Sequence, residues 1–194
     1  MPFPEKKQPY TYADYLSWPE DVRAEIIEGT LYMKAASSRI HQKLLSELHR
    51  QVANYLVGKD CEVYPAPFSV ILDLDDEDNK EEDSKNVVEP DISIICDKSL
   101  LDDSGCKGTP DMIIEIISPS AGRKDKLEKF NKYEQAGLKE YWIVEPQEKM
   151  VSIFTLQDNM RFGRPNLHSS EDKVKVSIFD DLLIELNKVF IISP

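Results

Sequence analysis

The stretch Pro110-Asp-Met-Ile-Ile-Glu-Ile-Ile-Ser-Pro-Ser120 constrains this chain more than any other. From Met112 to Ile117 it is apolar throughout, except for Glu115 in the middle. Isoleucines favour a strand, and an apolar run without alternation belongs to a strand buried on both faces. Pro119 ends the strand, and a polar turn opens a helical pattern near Ala121. A carboxylate inside a core strand is neutralised or excluded unless a metal ion, a cation or a proton compensates it. What Glu115 faces is therefore the question this sequence poses.

The 194 residues fit one domain, with a core over about 25–156. A hydrophobic content of 41% and a charged content of 31% are those of a globular chain. No run approaches the roughly 18–20 apolar residues of a membrane span, and Met1 to Pro9 lacks a signal-peptide core. Cys61, Cys96 and Cys106 match no zinc spacing. They read as three reduced thiols of a cytoplasmic protein. The net charge of −12 argues against a broad basic face for nucleic acid. Much of the acidic excess lies between Asp73 and Asp83, within a solvated loop over 73–86. That loop lacks the glycine a compact calcium site needs.

The remaining pattern alternates strands and helices. Thr11 to Trp18 reads as a short helix, and Glu25 to Lys34 as a hairpin turning at Glu28-Gly29. Ser38 to Val57 is the strongest helix. Its apolar residues Ile40, Leu44, Leu48, Val52 and Leu56 recur every fourth position, and Gly58 closes it. His41 lies in its first turn. An extended segment follows over 61–74, where Pro65 and Pro67 mark an edge or a bend. Val87 to Cys96 reads as one strand carrying Glu89 and Asp91, and 98–109 as a polar loop. Arg123 to Ala136 is helical, with Asp125, Lys129 and Tyr133 on one face. Glu140 to Val144 and Met150 to Leu156 are neighbouring antiparallel strands, and 174–179 and 182–186 close the fold.

Asp91 and Glu115 stand out as carboxylates in apolar strands, with Glu28 and Glu89 behind them. Two such groups on adjacent buried strands repel unless a divalent cation lies between them, and hard oxygen ligands suit Mg2+ or Mn2+. That chemistry activates water toward a phosphodiester, and a lysine such as Lys129 steadies the developing charge. Other sites are disfavoured. Ser118 and Ser120 lack the glycines of a nucleophile elbow, no glycine-rich phosphate loop occurs, and nothing supplies a sugar groove for two-carboxylate glycosidase chemistry.

Taken together, these segments resemble the Uma2 (DUF820) proteins, restriction endonuclease-like members of the PD-(D/E)XK nuclease superfamily. The resemblance runs from about Tyr12 to Leu156. It is carried by Glu25-Ile-Ile-Glu-Gly-Thr-Leu, His41-Gln42, Glu89-Pro-Asp-Ile-Ser and the Pro110–Ser120 stretch. Lys124-Asp-Lys-Leu-Glu-Lys-Phe, Tyr133 and Glu140-Tyr-Trp-Ile-Val-Glu-Pro complete it. It implies an α/β (α+β) fold whose core is a mixed β-sheet flanked by helices, here with an N-terminal hairpin and C-terminal strands added. It further implies that Asp91 and Glu115 hold the metal together with the backbone carbonyl of Ile116. Glu28 would be the acidic residue from the N-terminal part of the core, with His41 a further candidate. The superfamily pattern places a lysine two residues after the acid, where this chain has Ile117. The basic role then moves to the following helix, where Lys129 is preferred over Lys126 and Lys132, supported by Asp125 and Tyr133.

The function implied is that of a Mg2+- or Mn2+-dependent endonuclease hydrolysing DNA. The alternatives are an inactive nuclease-fold scaffold, or a hydrolase of another phosphoester. DNA binding by a chain of this charge would be weak and salt-sensitive, through Arg123, Lys124, Lys126 and Lys129. A homodimer would present two cleavage sites to two strands.

Overall fold

The computed structural model describes residues 9–19, 22–72, 80–117 and 123–191, except the side chains of 123–126. The expected acidic loop is thus outside the described residues over 73–79, as is the turn at 118–120. The elements begin with α1 (Tyr12–Leu16), the hairpin strands β1 (Ala24–Ile27) and β2 (Thr30–Met33), and the long helix α2 (Arg39–Leu56). Then come β3 (Glu62–Pro65), β4 (Val70–Ile71), β5 (Val87–Val88), β6 (Ile92–Ile95), β7 (Leu101–Asp102), β8 (Gly105–Lys107) and β9 (Met112–Ile116). Helix α3 (Arg123–Gln135) leads to β10 (Glu140–Glu145), β11 (Met150–Thr155) and β12 (Asn166–Ser169). The chain finishes with β13 (Lys173–Lys175), β14 (Leu183–Glu185) and α4 (Leu186–Val189).

Local chemistry explains the main elements. Ser38 caps α2 by accepting a hydrogen bond from the backbone N–H of His41 at 3.2 Å. Leu44, Leu48, Val52 and Leu56 then form its buried stripe, while Ile40 stays 39% exposed at the entry. Glu28 and Gly29 both take positive φ, 51° and 71°, which is the two-residue turn whose twist matches a right-handed hairpin.

Two six-stranded sheets form the frame. One has the order β2-β1-β5-β4-β8-β7, the other β12-β11-β10-β9-β6-β3, and β13 pairs with β14 apart from both. The second sheet is mixed: β9 and β10 run parallel across α3, and its other pairings are antiparallel. This is the mixed sheet flanked by helices that the family resemblance implies.

Strand β9 is central, between β6 and β10, and both its faces are buried as its composition predicts. Met112, Ile114 and Ile116 pack with Leu44, Leu48 and Val52 of α2 and with the C-terminal unit. Ile113, on the other face, packs with Tyr133 of α3, Tyr141 of β10, and Ile27 and Val70 of the first sheet. Burying one large aliphatic side chain contributes about 1.5–3 kcal/mol, so these two clusters dominate the stability. Glu115 points to the second cluster, into the space between the two sheets and α3.

Several expectations change. The segment 87–96 is not one strand: β5 belongs to the first sheet and β6 to the second, with Glu89-Pro90-Asp91 crossing between them. Pro90 has no N–H to give a ladder. The Glu89 N–H donates instead to the side chain of Glu25 at 2.9 Å, and the Asp91 carbonyl accepts from the Ala66 N–H at 2.9 Å. The crossing therefore carries both acids into the gap between the sheets. The polar loop at 98–109 contains the β7–β8 hairpin, turned by Asp102 Oδ1 accepting from the N–H groups of Ser104 (2.8 Å) and Gly105 (3.2 Å). Strand β12 and helix α4 were not expected. Nor are all three cysteines free: Cys61 and Cys96 form a disulfide, and Cys106 is a buried thiol. The two bonded residues flank the paired positions Glu62 and Ile95, so the β3–β6 register brings them together. Pro65 lies, as anticipated, in an edge strand.

A candidate site between the sheets

Glu115 meets α3. Its Oε1 accepts hydrogen bonds from Lys129 Nζ and from the Tyr133 hydroxyl, each at 2.8 Å. Lys129 and Tyr133 are four residues apart, so one helical turn presents both to the strand. Lys129 Nζ also donates to Glu25 Oε1 at 2.8 Å, bridging β9 to β1. Glu25 further accepts from the Glu89 N–H and lies 3.4 Å from Lys34 Nζ. Lys34 in turn donates to the Glu89 carbonyl.

Asp91 occupies the other side of the β9 end. Its Oδ2 accepts from the backbone N–H of Ile116 at 2.7 Å and lies 3.1 Å from His41 Nε2. His41 is held there because Ser38 starts α2 three residues earlier. The His41 Nδ1 is buried without a partner among the described residues. Asp91, Glu115 and Glu25 are 6%, 6% and 4% exposed, so water screens them little.

The three acids differ in electrostatics. Burial pushes Glu115 up, Lys129 opposes this, and the charges of Asp91 and Glu25 add to it, leaving its pKa above the ordinary range. Burial works the same way on Glu25, but Lys129 and Lys34 reverse it and hold the carboxyl below its ordinary value. Asp91 is also lowered: burial is overcome by His41 and by the Ile116 N–H. For Lys129, burial disfavours the ammonium, yet Glu115 and Glu25 together raise its pKa well above that of a free lysine. It is a permanent cation at neutral pH. Burial, then the neighbouring carboxylates, keep the Tyr133 phenol protonated, so it serves as a donor.

Of the residues singled out from sequence, Asp91, Glu115, His41, Lys129, Tyr133 and the backbone of Ile116 converge here. Glu28 does not. It sits in the hairpin turn, 70% exposed, paired with Lys132 Nζ at 3.0 Å. Lys132 Nζ donates to Glu28 Oε1 in that turn. The side chains of Asp125, Lys126, Arg123 and Lys124 lie outside the described residues. Lys129 is enclosed by its two carboxylates and takes no part in a surface basic patch. The residue that sequence reasoning overlooked is Glu25. The signal was present, since Ala24-Glu25-Ile26-Ile27 is a carboxylate in an apolar strand, as Glu115 is. Glu89, the other acid that stands behind Asp91 and Glu115 in the sequence, faces away from Lys129 toward α1. It pairs with Arg23 at 2.9 Å and accepts from the Tyr15 hydroxyl at 3.0 Å.

Among the described residues no three or more His, Cys, Asp or Glu side chains are grouped to enclose a metal ion. None of their helices is long and apolar enough to cross a membrane.

Comparisons with known proteins place this geometry. A protein of Synechocystis sp., described as uncharacterized, is 26% identical over 149 residues, spanning 75% of this chain and 74% of its own. The crystal structure of a "putative nuclease belonging to DUF820" from Anabaena variabilis matches with a TM-score of 0.74 at 19% identity. That match covers 94% of this chain and 98% of the other, and bears on the fold. The model of the Uma2 family, described as "Putative restriction endonuclease", matches residues 12–186. With a match of that extent across both sheets and the residues between them, the chain belongs to the Uma2 family.

Proposed function

We propose that this protein is a divalent-metal-dependent nuclease that hydrolyses phosphodiester bonds of DNA at the Asp91–Glu115 site. The observation that carries this reading is the pair of carboxylates, buried at the end of β9 and the start of β6, with a cationic lysine beside them. One oxygen of each acid, Asp91 Oδ2 and Glu115 Oε1, is committed to protein donors. Asp91 Oδ1 and Glu115 Oε2 have no donor among the described residues. Burial is the main cause of the upward shift of Glu115, and the charges of Asp91 and Glu25 add to it against Lys129, so a cation placed beside these acids would be favoured.

This donor set suits Mg2+ or Mn2+, which are held by one or two carboxylates and keep water and substrate oxygens in the remaining positions. Asp91, Glu115 and the carbonyl of Ile116 would hold it. When bound, such an ion polarises a phosphoryl oxygen and acidifies water. The chain's own groups do the rest. Lys129, protonated at neutral pH, offers positive charge to the pentacoordinate phosphate rather than abstracting a proton. Tyr133 fixes the Glu115 carboxylate by donating to it. His41 and the Ile116 N–H keep Asp91 ionised and oriented. Glu25 holds Lys129 from the far side.

The test is cleavage of plasmid and linear DNA with Mg2+ or Mn2+, alongside titration of Mn2+ followed by electron paramagnetic resonance. Asp91→Asn and Glu115→Gln should abolish cleavage and weaken Mn2+ binding while the fold persists. Cleavage that survives both substitutions would refute the assignment. A second reading, a scaffold that binds without cutting, is favoured by Ile117 in place of the superfamily lysine and by the closed Glu25–Lys129–Glu115 bridge. An absence of Mn2+ binding to the wild type would select it.

A further inference from the structure

A second concavity opens next to this site, on the far side of Glu89. Its volume is about 470 Å3, within the range of roughly 300–1,000 Å3 typical of small-ligand pockets. Tyr15, Trp18 and Phe68 supply aromatic walls, and Arg23, Ser69 and Glu89 supply polar groups. Trp18 is only half-buried, tilted by 56° against Tyr15 with ring centres 5.4 Å apart. The mechanism above uses none of the three aromatic residues.

The chemistry of the walls narrows the ligand. Among the described residues that line it, the one cation, Arg23, is already neutralised: its Nε and a terminal nitrogen lie 3.2 and 2.9 Å from Glu89 Oε2. Glu89 also accepts from Tyr15, whose hydroxyl lies 2.8 Å from Ser69 Oγ. A phosphate or other anion would find no uncompensated charge there. A planar, neutral heterocycle would find aromatic surface together with polar groups at its edge. The position narrows it further. Glu89 is two residues from Asp91, a separation of at most about 7 Å along the chain. Its backbone N–H and carbonyl bond to Glu25 and Lys34 of the candidate site. A nucleotide next to a phosphate held at Asp91 and Glu115 would lie within reach of this opening.

We propose that the Tyr15–Trp18–Phe68 pocket receives one unstacked nucleobase of the nucleic-acid substrate, holding the strand in register beside the Asp91–Glu115 site. This rests on the nuclease reading and extends it. Stacking on an aromatic side chain is sequence-tolerant, so the pocket would position the strand without selecting one base strongly.

The test measures binding by anisotropy of a labelled single-stranded oligonucleotide, with Ca2+ in place of Mg2+ to prevent turnover. A second probe of the same length carries abasic sites throughout. Trp18→Ala and Phe68→Ala should each weaken binding of the intact strand by roughly five- to a hundredfold, and Trp18→Phe far less. On the abasic strand the same variants should bind as the wild type does. Ser104→Leu, at an exposed position on the rim, should obstruct the pocket without touching the core and reproduce the loss. If wild type binds and all the pocket variants bind equally well, the base pocket is wrong and the nuclease reading stands. Equal losses on intact and abasic strands would also overturn it. If the wild type binds neither strand, the base pocket is wrong, and the plasmid-cleavage test decides the nuclease reading separately.

Discussion

Replacing Lys129 by methionine keeps the aliphatic stem and removes the ammonium that bridges Glu25 and Glu115. Both bonds are 2.8 Å long, and the three side chains are 14%, 6% and 8% exposed, so solvent screening discounts the effect little. Removing one partner of a buried ion pair costs about 3–5 kcal/mol, because the remaining charge is left uncompensated. For a chain of this size that is a fall in melting temperature of roughly 6–20 °C. The deficit should also depend on pH. In the wild type Glu25 titrates below its ordinary value, so its contribution is present at neutral pH and lost as pH falls through the folded pKa. Without Lys129 both carboxylates move upward. A carboxylate raised in the folded state stabilises only below its unfolded pKa, about 4.3, and loses that contribution as pH rises. The variant should therefore be most impaired at neutral pH and approach the wild type in mild acid. Urea unfolding followed by circular dichroism, at about pH 7.5 and about pH 5, measures this. Adding Glu115→Gln removes one uncompensated charge and should recover part of the loss. A deficit below about 1 kcal/mol, or one that is equal at the two pH values, would refute the argument that these three groups form one buried network.

Tyr133→Phe deletes the second donor to Glu115 and should cost about 1–3 kcal/mol, since the acceptor stays buried; a thermal unfolding series with Lys129→Met should show non-additivity. His41→Ala should leave Asp91 held by the Ile116 N–H alone and weaken Mn2+ binding by about 10–100-fold, the usual effect of removing a group that orients a metal ligand. Unchanged Mn2+ affinity would remove His41 from the site. Glu28→Asn exchanges the carboxylate paired with Lys132 for a residue that tolerates the φ of 51° better, so stability should change by less than about 1 kcal/mol and cleavage should be unchanged. Lost cleavage would restore Glu28 to the site in place of Glu25. Glu140→Ala should cost about 3 kcal/mol or more and speed amide exchange at Ser177 and Ile178, whose N–H groups donate to its carboxylate at 2.7 and 3.1 Å.

Much of this architecture is legible along the chain, where its physics is local. The fourfold repeat in α2 specifies both a helix and its buried stripe, and Ser38 and Gly58 mark its ends. The Glu28-Gly29 turn is set by two backbone angles that few other pairs accept. The apolar run around Glu115 requires a central strand, because only there are both faces covered. Lys129 and Tyr133 share a helix face by spacing alone.

Pairing between distant segments decided everything else. Nothing within residues 87–96 states that its two halves serve different sheets; the partners β1 and β4 on one side and β3 and β9 on the other impose the break. Cys61 and Cys96 meet only because β3 lies beside β6 in one particular register. Glu25 and Glu28 are equally acidic and three residues apart, and either could have been the third acid of the site. Alternation along β1 and the position of α3 across it turn Glu25 toward Lys129 and leave Glu28 in the exposed turn. Residue type and period determined which carboxylates would be buried. Only the tertiary packing, which brings charges together across more than 100 residues of chain, determined which cation each would meet.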